Sequence, residues 1–426
     1  MICPKRLAEL ININLGGLKQ KEPAWEIGVS KIAGRGVFAT RNIKCGEVIF
    51  KDDPLLIGPT LRNETPLNTC SVCYSLMDPK KFLCKNGCGL PLCENCSRRK
   101  QHKAECTLFK TWEPLEPQTP NILVIRLITV ARAMLFNANQ KALLYAMQAN
   151  IDTTFRNEVK NASACFKNFP TDKKIVEYLH RTVAILNTNS YEVNSSKQSD
   201  FPLRALYPLA GILNHECVPN TTYTFDEKNY TIILKAAKDI KEGQEITISY
   251  TKLLWSNLMR QLFLKMTKQF SCKCQRCSDP TEGGALLSAL YCKSDDCQGL
   301  VVPETTTTLQ PQWVCLECKK KYQHGVMSKT QDFALGAINA KLNGNSVKAI
   351  IDFINEKCPT FVPECNHIVV EAKYNVISRM MKCKEDFKFQ DYEAKKRYCE
   401  ELLGILDKLK VGVNAMRTYL EQEKLR

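Results

Sequence analysis

The sequence predicts an α+β protein of several domains, in which a β-rich domain is interrupted by a cysteine–histidine module and a helical insert. Two β-like regions, at 25–57 and 200–251, consist of short apolar strands separated by glycine-containing turns. Between them lie a dense cysteine–histidine cluster at 70–106 and apolar residues at helical spacing over 120–195. From about residue 329 onward the spacing is helical again.

Length and composition are those of a globular protein with a large core. The 426 residues suffice for roughly two to four domains, and 44% are hydrophobic. The most apolar segment, 121–136, contains Arg126 and Arg132, so it does not predict a membrane helix. Glu9 and several asparagines interrupt the amino terminus, which argues against a signal peptide. We therefore expect the protein in the cytoplasm, the nucleus or both.

Cysteine is unusually frequent and indicates metal sites. Of the 22 cysteines, fifteen occur in pairs, tight groups or a single motif loop. Reducing compartments do not maintain structural disulfides, so such clusters there usually bind zinc. The other seven are scattered, and we expect most to be small buried residues: Cys3, Cys45, Cys165, Cys358, Cys365, Cys383 and Cys399.

The first cluster contains eight potential ligands, enough for two four-coordinate zinc ions. They are Cys70, Cys73, Cys84, Cys88, Cys93, Cys96, His102 and Cys106. His102 and Cys106 are four residues apart, so a helix would present both on one face. That helix leaves basic side chains for solvent or a partner: Arg98, Arg99, Lys100 and Lys103. Spacing does not reveal which ligands share an ion.

Two further groups complete the predicted zinc sites. Cys272, Cys274 and Cys277 are one ligand short of a tetrahedron, and the isolated Cys217 in NHECVPN is the obvious fourth. A three-cysteine site completed by water is the alternative. A last group has the spacing of a zinc ribbon, against which Trp313 would pack: Cys292, Cys297, Cys315 and Cys318. We expect about four structural zinc ions in total.

Polar residues near the Cys217 loop suggest a binding site. If the two β-like regions share a sheet, Asn214 and His215 lie beside the glycine bend GRG at 34–36, and Tyr250 ends a nearby strand. Each element alone more often means a turn or packing. The net charge of +16 also permits nucleic-acid contact, but the lysines are spread along the chain, so we do not expect this to be the primary role.

Taken together, these motifs resemble the SMYD family of protein lysine methyltransferases, which combine SET and MYND domains. The matching segments are GRGVFAT (34–40), the cluster at 70–106, NHECVPN (214–220), GQEITISY (243–250) and CKCQRC (272–277). The resemblance implies a split SET domain with an inserted MYND zinc module. The predicted divisions are an amino-terminal extension (1–24), SET parts (25–69 and 200–252), the MYND module (70–106), a helical insert (107–199), a post-SET zinc segment (253–278), a zinc ribbon (279–326) and a helical carboxy-terminal domain (327–426).

The resemblance also implies a site for S-adenosylmethionine (AdoMet). Arg35 and Gly36 would contact this donor largely through their backbone. The remaining implied contacts are Asn189, Asn214, His215, Tyr250 and Phe270. Tyr250 would be the catalytic residue, orienting the amine of a protein lysine in a narrow apolar channel. Zinc would be structural.

Some positions depart from the family pattern. Gly211 replaces a serine near the donor, Gln148 replaces a carboxylate that could bind ribose, and the ribbon indicates a divergent, arthropod-like branch. Two alternatives to an active enzyme on histone or non-histone proteins therefore stay open. One is a weakly active adaptor that binds a proline-containing peptide through its MYND module. The other is nucleic-acid binding through the basic zinc modules, which would be strongly salt-dependent.

Overall fold

The computed structural model describes residues 3–32, 34–60, 67–78, 83–150, 153–194, 201–382 and 386–425. A first helix, α1 (Pro4–Leu15), packs Leu7, Leu10 and Ile11 into the core of the β-rich domain. The strands of this domain are β1 (Trp25–Val29), β2 (Arg35–Ala39), β3 (Val48–Asp52), β4 (Leu56–Pro59), β5 (Tyr191–Asn194), β6 (Pro202–Leu206), β7 (Asn214–His215), β8 (Thr221–Phe225), β9 (Ile232–Ala236) and β10 (Glu245–Ile248).

These strands form three small sheets, and each contains strands from both sides of the inserted segments. The strand orders are β1-β2-β10-β7, β3-β9-β8 and β4-β6-β5. Buried residues of all three sheets, including Val37, Leu203 and Leu234, belong to one core cluster. The two halves of the β-rich domain are therefore one folding unit, and the mixed α+β class predicted from the sequence is confirmed.

The helices between the two halves hold the cysteine–histidine module against the β-rich domain. They are α2 (Glu94–Ser97), α3 (Lys100–Trp112), α4 (Ile122–Ala131), α5 (Ala138–Ala146), α6 (Thr153–Ser163) and α7 (Lys173–Asn189). Buried Arg132 follows α4 and donates to Glu105 of α3 at 2.7 Å, to the Tyr74 hydroxyl at 2.7 Å and to the Ser71 carbonyl at 2.6 Å. Because a buried ion pair is costly to break, this network fixes the module in place.

The chain continues into a second hydrophobic core. Before this core come α8 (Asn257–Phe263) and α9 (Gln275–Ser278), which pack at a small separate cluster of Cys217, Leu264, Cys272 and Cys277. The second core itself is built from β11 (Leu290–Tyr291), β12 (Leu300–Pro303), β13 (Trp313–Cys315), β14 (Lys321–Tyr322), α10 (His324–Leu342), α11 (Val347–Asp352), α12 (His367–Met380), α13 (Phe389–Lys408) and α14 (Ala415–Leu425). Strands β11 to β14 form an antiparallel sheet in sequence order. Trp313 is fully buried, as predicted, in a core cluster that the sheet shares with Val369 of α12 and Leu406 of α13.

The helical region contacts the β-rich domain closely at Gly412. The Val413 amide donates to the Ala237 carbonyl at 2.9 Å, and a Cβ on Gly412 would lie 2.2 Å from that carbonyl oxygen. Only glycine allows this approach, since real Cβ contacts never come so near.

Several local expectations need correction. Gly36 lies inside β2 and pairs with Gly28, so the predicted bend contains Gly34, at φ +57°, but not Gly36. Tyr250 lies two residues beyond the end of β10. The predicted helix through His102 breaks after α2 and restarts at Lys100, although His102 and Cys106 still share α3.

The scattered cysteines follow the prediction only in part. Cys358 and Cys399 are buried in the helical core. Cys3, at the N-cap position of α1, and Cys45, in a turn before β3, are exposed. Cys383 lies outside the described residues. Among the described helices, none alone has the length and apolarity of a membrane span; one pair bent by 117°, Ile122–Leu135 with Ala138–Ala146, meets those two criteria together.

Candidate active site and zinc centres

All sixteen predicted metal ligands fall into four groups of four, with the ligand atoms of each group within 4.8 Å of one another. The groups are Cys70, Cys73, Cys93 and Cys96; Cys84, Cys88, His102 and Cys106; Cys217, Cys272, Cys274 and Cys277; and Cys292, Cys297, Cys315 and Cys318. Four sulfurs around zinc at about 2.3 Å are about 3.8 Å apart along each tetrahedral edge. The Sγ–Sγ distances of Cys73–Cys93, Cys84–Cys106 and Cys297–Cys315 are 3.8, 3.9 and 3.7 Å. The donor sets therefore fit zinc.

The structure supplies the ligand pairing within the first module, which spacing left open. The ligand pairs alternate along the chain between the two sites. Cys70 and Cys73 share a site with Cys93 and Cys96, and Cys84 and Cys88 share a site with His102 and Cys106 of α3. His102 directs Nε2 at Cys84 Sγ, 3.3 Å away, and burial lowers the pKa of its imidazole. A lowered pKa keeps the ring neutral, which is the form that binds zinc. The basic residues beside α2 and α3 are exposed, as expected: Arg98, Arg99, Lys100 and Lys103.

Cys217 joins the distant cysteines, as its isolation in the sequence suggested. Its Sγ lies 4.0 Å from Cys272 Sγ and 3.4 Å from Cys277 Sγ, and all three residues are buried. The loop after β7 is thereby held against the segment that follows α8. The alternative of a three-cysteine site completed by water is not needed to explain the geometry.

A buried charge network supports this cluster, and the sequence analysis missed it. Arg260 of α8, with a fully buried side chain, donates to Cys217 Sγ at 3.2 Å, to Cys277 Sγ at 3.5 Å and to Glu282 at 2.6 Å. Arg276 donates to the same carboxylate at 3.0 Å. The two guanidinium groups hold the pKa of Glu282 below its usual value against the opposing effect of burial. Arginine at this position offsets the negative charge of four thiolates around one divalent ion.

Asn214 connects the motif loop to β2. Its Nδ2 donates to the Arg35 carbonyl at 2.9 Å and to Glu245 Oε1 at 2.7 Å. A Cβ on Gly36 would lie 2.3 Å from the same Oε1. A side chain at position 36 would therefore displace the Glu245 carboxylate from its position beside Asn214. Glu245 itself was not predicted, because nothing in its local sequence distinguishes it from a surface glutamate.

His215 uses both ring nitrogens within the protein. Nδ1 accepts the Tyr250 amide hydrogen at 2.9 Å, and Nε2 faces Cys217 Sγ at 3.2 Å. Since Nδ1 is an acceptor, the proton of the neutral ring belongs on Nε2 and points at the sulfur. Burial lowers the pKa of His215 to about 4, so the ring is neutral at physiological pH. The side chain thus links the zinc cluster to the backbone of Tyr250.

Tyr250 lies among aromatic rings at the centre of the candidate site. Its ring centroid is 5.2 Å from that of His215 and 6.5 Å from that of Phe270. The hydroxyl donates to the Leu213 carbonyl at 2.6 Å, and burial raises the pKa of the phenol. The phenol therefore stays protonated, with its oxygen lone pairs available as acceptors.

The remaining predicted site residues lie around the end of α5. Arg35 donates to the Ala146 carbonyl through one guanidinium nitrogen, while Nη1 is buried without a hydrogen-bond partner among the described residues. Asn189 donates to the Gln148 carbonyl at 2.7 Å. A Cβ on Gly211 would meet Asn189 Cβ at 3.9 Å, so these residues are direct neighbours. Direct contacts or sequence adjacency connect six of the seven predicted donor-binding residues: Arg35, Gly36, Asn214, His215, Tyr250 and Phe270. Asn189 is linked to Tyr250 through Lys268, whose Nζ lies over the Tyr250 ring and donates to the carbonyl of the adjacent Thr188.

Comparison with known proteins identifies the family. The SET domain model matches residues 34–251. The Drosophila melanogaster SET domain-containing protein SmydA-8, isoform B, is 45% identical over 424 residues, which is 98% of this chain and 94% of that protein. The Arabidopsis thaliana histone-lysine N-methyltransferase ASHR1 is 26% identical over 328 residues, covering 68% of this chain and 64% of that protein. The human histone-lysine N-methyltransferase SMYD3 is 25% identical over 280 residues, covering 60% of this chain and 61% of that protein. The chain therefore belongs to the SET-domain family, in a divergent SMYD-type branch.

Proposed function

We propose that the protein is an AdoMet-dependent protein-lysine N-methyltransferase acting on histone or non-histone proteins. Family membership and the histone-lysine methyltransferase names of two relatives support this class of reaction. The observation that carries the proposal is the set of contacts at the Cys217 loop. Cys217 in this loop belongs to a four-cysteine cluster. His215 in the same loop faces the Cys217 sulfur and accepts a hydrogen bond from the Tyr250 amide.

The residues present fit the methyl donor. Nη1 of Arg35 is buried and unpaired among the described residues, and an unpaired guanidinium nitrogen suits a carboxylate such as that of the donor's amino-acid part. Phe270 offers an aromatic face beside His215, with ring centroids 6.0 Å apart. The bound donor supplies a methyl group on a positively charged sulfur. The residues proposed to hold it are Arg35, Gly36, Asn189, Asn214, His215, Tyr250 and Phe270.

The role of the protein is then to present a neutral amine in line with that methyl group. Free lysine has a pKa of about 10.4 and is mostly protonated at neutral pH. A pocket lined by Tyr250 and Phe270 disfavours the ammonium form because it excludes water. The Tyr250 oxygen, fixed by its bond to Leu213, orients the amine and stabilises the positive charge near the methyl carbon. The zinc clusters have no part in the chemical step.

A second function has one observation in its favour. Gln148 stands where a ribose-binding carboxylate is expected, and its amide donates to Asn150 at 2.9 Å. A neutral amide already engaged in this way predicts weaker donor binding. The protein would then be an adaptor, with its cysteine–histidine module acting as a MYND module for a proline-containing peptide. Its exposed arginines, Arg98 and Arg99, would equally suit an acidic partner or nucleic acid.

Calorimetry with AdoMet separates the two functions. We expect zinc-loaded protein to bind the donor with an affinity in the micromolar range or tighter. Tyr250→Phe should retain this binding and lower or alter methyl transfer to histone and non-histone lysines. Cys217→Ser should lose one zinc equivalent together with donor binding. An absence of binding heat in folded protein carrying all its zinc would refute the enzyme and favour the adaptor.

A further inference from the structure

Lys268 reaches into the candidate active site from the segment that follows α8. It is the last residue of a π-helical turn, Leu264–Lys268. Its Nζ lies over the Tyr250 ring, 5.3 Å from the ring centroid, and donates a hydrogen bond to the Thr188 carbonyl. Thr188 immediately precedes Asn189. The amine therefore lies between the Tyr250 ring and the backbone carbonyl next to Asn189, two residues proposed to hold the methyl donor.

The surroundings of this amine are those of a reactive lysine. Burial alone lowers the pKa of Lys268 to about 8, with no carboxylate acting against it. Roughly a quarter of such amines are neutral and nucleophilic at pH 7.5. An uncharged side chain would fill the same space without the cost of a partly buried cation that has no carboxylate partner, so packing alone does not call for a lysine here. Lys265, three residues earlier, is exposed.

We propose that Lys268 is a self-methylation site, at which the chain itself acts as a lysine substrate of its own active site. This inference depends on the proposed function. The Lys268 side chain has four rotatable bonds, so its head can move from the Thr188 carbonyl toward the donor without displacing the helix. The carbonyl and the aromatic face are also suitable contacts for a methylated ammonium.

The reaction balances without any further reactant. The neutral Nζ attacks the methyl carbon, the carbon–sulfur bond breaks, and its electron pair stays on sulfur. The sulfonium becomes the neutral thioether of S-adenosylhomocysteine (AdoHcy). The new nitrogen–carbon bond leaves a methylammonium, which releases a proton to water when the amine returns to its neutral form.

Mass spectrometry tests the proposal without an external substrate. Full-length protein is incubated with AdoMet carrying a deuterated methyl group, and its peptides are mapped. We expect the label on Lys268, approaching one or more methyl groups per chain, at a rate independent of protein concentration. Lys268→Arg and Tyr250→Phe should lose the label. The matched control Lys265→Arg should keep it. An unlabelled Lys268, or label spread evenly over exposed lysines, would overturn the proposal.

Calorimetry supplies a readout that does not require methyl transfer. The Lys268 ammonium repels a sulfonium but not the uncharged sulfur of AdoHcy. Lys268→Met should therefore strengthen AdoMet binding relative to AdoHcy, by roughly thirtyfold for two charges about 8 Å apart at an effective dielectric constant of about 20. An unchanged ratio would mean that the amine is too far from the donor and would refute self-methylation. Absence of AdoMet binding to the wild type would refute the proposed function as well. Methylation of histones with Lys268 unlabelled would refute only this inference.

Discussion

Replacing Arg260 tests whether the buried charge network maintains the Cys217 zinc cluster. Four thiolates and one divalent zinc ion carry a net charge of −2, and Glu282 adds one more negative charge. Arg260 and Arg276 together contribute +2, so Arg260→Met doubles the uncompensated charge from −1 to −2 in a site that is shielded from water. Removing one partner of a buried ion pair typically costs 3–5 kcal/mol. We expect a loss of about 4 kcal/mol, or roughly a thousandfold weaker zinc binding at this cluster.

Competition with a chromophoric chelator measures this loss. One zinc equivalent should be released from Arg260→Met at much lower chelator concentration than from the wild type. The ribbon cluster, which includes the exposed Cys318, serves as an internal control and should be unchanged. Arg260→Lys retains the charge but loses the forked guanidinium that reaches both sulfurs and Glu282. Its zinc affinity at this cluster should therefore lie between those of the wild type and Arg260→Met. Zinc retention in Arg260→Met equal to that of the wild type would refute the reasoning.

Two further predictions concern stability. Gly412→Ala places a Cβ against the backbone carbonyl of Ala237, so the contact between the helical region and the β-rich domain should weaken by about 1–3 kcal/mol. Faster amide exchange at Val413, with exchange in the ribbon unchanged, would show this weakening. Asp52 is fully buried, and burial raises its pKa to about 7 from an ordinary 3.8, so the folded state keeps a proton that the unfolded state loses. Its contribution to stability therefore falls as pH rises from about 4 to 7, and the advantage of Asp52→Asn in urea unfolding should grow by about 1 kcal/mol between pH 6 and pH 8. A constant difference would mean that Asp52 is ionised in the folded protein.

The zinc ligands other than Cys217 were predictable because they occur at short spacings, and Cys217 followed from the missing fourth ligand of the group at 272–277. Two cysteines separated by two residues can bind one ion from a single turn, so the pattern survives without knowledge of the fold. The ligand pairing in the first module was not predictable, because it depends on how the loops cross. The sheet shared by β2, β7 and β10 entered the sequence analysis as a condition for the site and as an implication of the family resemblance, whereas the position of Gly36 within a strand was not expected. From sequence alone, a glycine within a strand cannot be distinguished from a glycine in a turn. The difference depends on which side chain packs against it in the fold, and at Gly36 that side chain is Glu245.

The charged residues around the site escaped sequence analysis for a different reason. Arg260, Glu282 and Lys268 are buried or partly buried, but their local sequence is that of exposed helix and loop residues. Their partners lie far away along the chain: Cys217 is 43 residues from Arg260, and Thr188 is 80 residues from Lys268. No periodicity or motif carries such a pairing. It becomes visible only when the fold brings the residues together.

The same contacts indicate that a zinc ion at Cys217 would affect the proposed reaction by positioning Tyr250, without taking part in the chemical step. Cys217 faces Nε2 of His215, whose Nδ1 holds the Tyr250 amide, and the Tyr250 hydroxyl bonds to Leu213 on the same loop. A neutral His215 can donate to a sulfur and accept from an amide at once, so the metal cluster and the tyrosine share one rigid connection. A shift of the cluster by a fraction of an ångström would therefore shift the phenol, and in-line methyl transfer tolerates little misplacement. The metal thus acts on the proposed reaction through position alone.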